Sequence, residues 1–232
     1  MTAVALAACA VGAAAALLAP LVVPDIAEPP RPWHVVGLLH QSKPFTRYTA
    51  AEIDGIRVLR VEADRSYGNL VHSLQATAAH TLAWRWRVDR PVIGADLRTR
   101  SGDDSAIEVC AMFDLPLSQV PFVERQVLRL TRSATGEALP SAMLCYVWDT
   151  HFAPGTVLPN AFTRRMRMIV LQGEGAPLGQ WRSERRDLKA DFLRAFGDEA
   201  QEMPPLIAVG LSADGDSTQS HSVAFIDALV LE

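Results

Sequence analysis

Between Leu82 and Val88 the chain alternates without a break, with Leu82, Trp84, Trp86 and Val88 on one side and Ala83, Arg85 and Arg87 on the other. Successive side chains of an extended strand point to opposite faces, whereas a helix would scatter two tryptophans and two arginines around its circumference. The spacing therefore predicts a strand with one dry and one wet face, and it assigns Trp84 and Trp86 to a core. Further strands are predicted over Ile56–Ala63, Leu70–Gln75, Ala106–Phe113, Ala142–Trp148, Met166–Gln172, Leu206–Ser212 and Ser222–Leu231. Turn residues separate them at Asp54-Gly55, Tyr67-Gly68-Asn69, Ser101-Gly102-Asp103, Pro154-Gly155, Gly173-Glu174-Gly175 and Asp214-Gly215-Asp216. Many short strands so punctuated are the pattern of a sandwich or barrel.

The period changes twice. Over Arg186–Gly197, Leu188, Phe192 and Phe196 recur at helical spacing, with Asp187 in the first turn and Gly197 as the stop. A weaker helical pattern over Pro121–Arg132 places Val123, Val127 and Leu130 on one face. The expected fold is all-β, a jelly-roll-like antiparallel β-sandwich with one helix in the C-terminal half.

Residues Thr2–Val23 carry no charge and are mostly Ala, Leu and Val. They read as an apolar leader, either a signal peptide or a membrane anchor. No Lys or Arg precedes them, and no clean small-x-small site follows. Leu6-Ala7-Ala8-Cys9 resembles a lipoprotein processing box, although only five residues stand before it. The domain plan is a leader over 1–27, a Pro-rich linker over 28–44, and the sandwich over 45–232. Export to the periplasm or beyond follows as an expectation, with membrane contact only through the leader.

The 232 residues are 49% hydrophobic, enough for one large β domain, and the net charge of −4 argues against nucleic acid as a partner. Cys110 and Cys145 fall in the middle of two predicted strands. They are either a disulfide between neighbours or two buried thiols.

Five phrases occur in a recognisable order: Leu82–Val88, Gly102-Asp103-Asp104, Leu144–Trp148, Glu184–Asp187 followed by Asp191-Phe192 and Phe196-Gly197, and Ala213–Thr218. With them the chain, from about Phe45 onward, resembles a family of exported bacterial proteins, mainly proteobacterial, catalogued as a domain of unknown function. The resemblance implies a jelly-roll β-sandwich related in shape to galactose-binding and other carbohydrate-binding modules, and it implies no activity. Relatives tend to carry an arginine in the strand after the Asp-Asp pair; here that strand holds Glu108.

Candidate ligand-binding residues fall into three groups. Asp103 and Asp104 share one acidic turn, and Asp214 and Asp216 another. The latter two offer the hard oxygens that calcium takes, although such turns also bond their own backbone. An EF-hand is excluded because its twelfth position would be Phe225. Tyr146 and Trp148 share one strand face, and Trp181 follows a Gly-rich turn; flat rings of this kind stack on sugars, or else fill a core. Arg85, Arg87, Glu108, Arg185 and Asp187 are charges in or beside strands. They form either a polar pocket or a solvated ladder.

Nucleophile elbows, His-Glu-x-x-His, Cys-x-x-Cys and phosphate-cradling loops are all missing, so no catalytic residue or cofactor is assigned. The expected role is binding of a glycan or small envelope ligand without catalysis. The alternatives are a carboxylate-based hydrolase using Asp103, Glu108 or Asp187, and a structural or assembly subunit.

Overall fold

The computed structural model describes residues 17–38, 40–135 and 139–232. Two sheets form the body. The larger has the order β1 (His34–Val36), β4 (Asn69–Thr77), β11 (Leu206–Ser212), β6 (Glu108–Phe113), β7 (Ala142–Trp148), β9 (Met166–Gln172) and β8 (Val157–Pro159). The smaller runs β10 (Arg182–Asp187), β5 (Thr81–Arg90), β12 (His221–Leu231), β3 (Ile56–Asp64) and β2 (Arg47–Ile53). The fold is thus a β-sandwich with short helical insertions, as the alternation predicts.

The strand β5 behaves as its pattern requires. Leu82, Trp84, Trp86 and Val88 are buried at 2% exposure or less. Trp84 lies 5.3 Å from Tyr146 and Trp86 5.8 Å from Trp148, ring centroid to ring centroid. These four rings join the two sheets.

The seven-stranded sheet also buries part of its outer face. Cys110, Met112, Cys145, Val147, Met168 and Val170 point away from the main core and pack with Leu97, Leu158 and Ala208. The cover arises from topology. Strands β7 and β9 are parallel, an exception to the expected antiparallel scheme. A parallel pair needs a crossover, and the chain from Asp149 to Arg165 supplies it, carrying β8 with it.

Several boundaries differ from the sequence reading. The expected linker is part of the fold: β1 pairs with β4, and Trp33 is buried at 3% exposure. Arg186 and Asp187 end β10, and α2 (Leu188–Phe196) starts one residue later, with Asp187 as its N-cap accepting from Ala190 N at 3.0 Å. The second helix, α1 (Phe122–Thr135), turns its row outward, leaving Val123 72%, Val127 59% and Leu130 72% exposed. Leu128 buries instead, because the polar flank is fixed by Glu124–Arg165 and Arg132–Asp114 ion pairs. Among the described residues no helix is long and apolar enough to cross a membrane; Thr2–Ala16 of the expected leader lie outside them.

Candidate functional site

Three loops meet on the outer face of the seven-stranded sheet, at the end where β6 begins and β11 ends. The loop before β6 brings Asp103, Asp104 and Ser105. The turn after β11 brings Asp214–Thr218, and the crossover brings Asn160–Thr163. Asp214 ties two of them: its Oδ1 accepts from Ser105 N at 2.7 Å, and its own N–H donates to Ser105 O at 3.0 Å. Asp104 repeats the tie, accepting from Thr218 N and Oγ1 at 2.6 Å each and from Ser217 N at 3.2 Å. Asp103 accepts from Asn160 Nδ2 at 2.7 Å, which joins the crossover. Asn160 is itself fixed, because its Oδ1 accepts from Phe162 N and Thr163 N, an Asx turn. Lys43 Nζ pairs with Asp216.

Together these loops enclose a cavity of about 350 Å³. Cys110, joined to Cys145 by a disulfide across β6 and β7, lies at its floor with Met112, Met143 and Met166. Leu38 and Phe162 form an apolar rim, both more than half exposed. The polar lining is Tyr67, Asn69, Asp103, Glu108, Asn160, Thr163, Ser212, Asp214, Asp216 and Ser217. Among the described residues it contains four carboxyl groups and no Arg, Lys or His.

That imbalance shifts the acids upward, since an ion loses hydration on burial and like charges repel. Glu108, 5% exposed, is pushed up to about 8, by burial first and then by the charge of Asp103. Asp103 rises to about 6, by burial offset in part by the Asn160 hydrogen bond and reinforced by Asp104 and Asp216. Asp214 rises well above the usual carboxylate range for the same leading reason. Near neutral pH Asp103 is therefore mostly ionised while Glu108 mostly keeps its proton. The Cys110 Sγ lies 3.8 Å from the Glu108 carboxyl but, being in the disulfide, has no hydrogen to give it.

The other candidates lie elsewhere. Tyr146 and Trp148 do share a face, but it is the inner one, and at 0% and 2% exposure they reach no ligand. Pairing of Cys145 and Val147 with the outer cluster forces this, because the period of two leaves their neighbours inward. The Tyr146 hydroxyl donates to Asp191 at 2.9 Å, and Arg186 holds the same carboxylate through two bonds of 2.8 Å. Arg85, Arg87, Arg185 and Trp181 sit on the opposite side of the molecule, outside the five-stranded sheet, so no pocket unites them with Glu108. There Arg85 bonds Asp227 at 2.6 Å and lies 4.8 Å over the Trp181 ring. Arg87 pairs with Asp89 at 2.5 Å, and Arg185 with Glu232 at 2.8 Å. Asp187 is spent on capping α2.

Asp104, Asp214 and Asp216 bring carboxylate oxygens within 4.8 Å of one another, the arrangement a cation would use. Their loop hydrogen bonds and Lys43 already engage them. Asp103 and Asp216 line the same cavity but bond to Asn160 and Lys43 rather than to each other. Sequence reasoning missed Asn160, Phe162, Tyr67, Asn69 and the three methionines. The dipeptide Pro159-Asn160 signals a turn, but nothing local says that it lands on the Asp103 loop.

The molecule is thus a two-sheet β-sandwich with an acidic, disulfide-floored cavity on one outer face. The chain belongs to the DUF3047 family, described as proteins of unknown function, whose model matches residues 31–230. No curated protein matches it. Solved structures with a similar course include TmCBM61 in complex with β-1,4-galactotriose, at 8% identity and TM-score 0.34, covering 87% of this chain and 88% of that one. The K1 cleaved adhesin domain of Lys-gingipain from Porphyromonas gingivalis W83 gives 10% identity and TM-score 0.37, covering 88% and 91%. The xyloglucanase domain of NopAA, a type three effector from Sinorhizobium fredii, in complex with cellobiose, gives 8% and 0.42, covering 86% and 91%. Similarity at this level says nothing of a shared ligand.

Proposed function

We propose that this protein is an exported, non-catalytic binding module that takes a glycan or another small hydroxylated envelope ligand in the cavity above Cys110. The observation carrying this reading is the cavity itself. Its volume of about 350 Å³ falls in the range of small-ligand sites, and it combines an apolar floor and rim with converging amides, hydroxyls and carboxyls. A protonated Glu108 donates a hydrogen bond, an ionised Asp103 accepts one, and Phe162 offers a ring face. A disulfide fits a chain that folds in an oxidising compartment. The test is binding of the purified protein to an array of glycans and cell-wall fragments. Asp103→Asn and Phe162→Ala are expected to weaken a hit at least tenfold, while Trp181→Ala, on the far face, leaves it unchanged. Absence of any hit, or loss only in Trp181→Ala, removes the reading.

One observation favours hydrolysis as a second reading. Asp103 at about 6 and Glu108 at about 8 line one cavity, which at neutral pH supplies a base beside an acid. Turnover of a polysaccharide or ester substrate would then follow a bell with limbs near those values and vanish in Glu108→Gln. Unchanged turnover in that variant ends the idea.

A further inference from the structure

The expected leader, 1–27, overlaps residues that are integral to the fold. Leu18 and Leu21 are each 7% exposed and belong to the main core, with Ala19 and Val22 packed beside them. The Ala19 amide donates to His72 Nε2 of β4 at 3.0 Å, and the Trp33 indole donates back to Ala19 O at 2.9 Å. The Trp33 and His72 rings meet edge to face at 4.9 Å. Farther along, the Ala50 amide of β2 donates to Ala27 O at 2.6 Å, and Arg57 of β3 donates to Ile26 O at 2.7 Å. One end of the segment is therefore fastened to the β1–β4 side of one sheet and the other to the β2–β3 side of its partner. This is the open flank of the sandwich, where both sheets end in edge strands. An uncovered flank would expose core side chains and unpaired backbone groups.

We infer that Leu17–Ala27 is a retained strap closing this flank, so that any removal or membrane attachment of the apolar N-terminal stretch takes place upstream of Leu17 rather than near Ala27. Cleavage after Ala27 would strip Leu18 and Leu21 from the core and take away the partners of His72, Trp33, Ala50 and Arg57. The upstream phrase resembling a processing box, Leu6–Cys9, is compatible with the strap; a cut at the start of the Pro-rich stretch is not. The inference rests on export only for where processing falls; that the strap is structural stands apart from it.

Two measurements on the full chain decide it. The protein is produced in an exporting bacterium and the N-terminus of its mature form is read by mass spectrometry. A start at or before residue 17, processed or not, is expected; a start between 18 and 33 overturns the inference. Separately, the double variant Leu18→Glu, Leu21→Glu is expected to lower Tm by on the order of 5–10 °C, and an unchanged Tm overturns it. Should that variant fail to fold, amide exchange of the unaltered protein decides. Protection of the Ala19 and Ala50 amides comparable to the β-strands supports the strap, and exchange at the rate of a free chain refutes it.

Discussion

The two outer faces of the sandwich handle acidic residues in opposite ways. Outside the five-stranded sheet, Glu62 is gripped by Arg60, Arg47 and His221, and its carboxyl is lowered to about 2, chiefly by the Arg60 hydrogen bond. Arg85 and Arg87 have Asp227 and Asp89. Outside the seven-stranded sheet, Glu108 lies beneath a cavity whose described lining holds further acids and no base, and it is raised to about 8, by burial first. Burial pushes both carboxyls up; at Glu62 the bonds from Arg60 and His221 outweigh it, whereas at Glu108 burial dominates and the charge of Asp103 adds to it. The first face is organised for stability. The second stays unbalanced, the property on which the proposed binding site draws.

This contrast can be broken in four places. The largest effect is expected beneath the cavity, where replacing Cys110 and Cys145 together by Ala opens a loop with a sequence separation of 35. A loss of about 3–4 kcal/mol in denaturant unfolding is expected from chain entropy; a loss under 1 kcal/mol would mean that the bond does not support this face. Next is Glu62→Gln. A carboxyl lowered in the folded state contributes stability that is present above its unfolded value near 4.5 and fades as pH falls toward 2. The variant is expected to lose on the order of 2 kcal/mol at pH 7 and only a few tenths, about 0.4 kcal/mol, at pH 2.

Glu108→Gln has the opposite sign. A carboxyl raised in the folded state contributes fully below about 4.5, and its contribution erodes as pH rises toward 8. The variant should match the parent at pH 4.5 and exceed it by on the order of 1–2 kcal/mol at pH 8. Equal stability curves across that window would place both faces under the same rule. Smallest is Arg185→Ala, whose exposed pair with Glu232 should change stability by no more than about 0.5 kcal/mol. A larger loss would show that the charged face is more than a solvated ladder.

How much of this was legible follows from periodicity. Alternation in Leu82–Val88 and Ala142–Trp148 defines two faces per strand but not which one is inward. The tryptophans of β5, interleaved with arginines, settle it; Tyr146 and Trp148 alternate with Cys145 and Val147, and both sides are apolar. The reason is that β7 buries both faces, one between the sheets and one under the crossover. Strand β10 was hidden because Arg182–Asp187 is polar throughout, and it is recruited as an edge by pairing with β5. The acidic turns were visible as turns. Their convergence with Asn160 was not, because a parallel pairing of β7 and β9 is a long-range choice with no local mark.

The disulfide has one further consequence. Cys145 is 0% exposed and Cys110, at the cavity floor, 3%, so a reductant meets the bond only through that cavity or when strands part. Thiol appearance under mild reduction would therefore report access to the cavity floor, and an occupant seated above the bond should slow it.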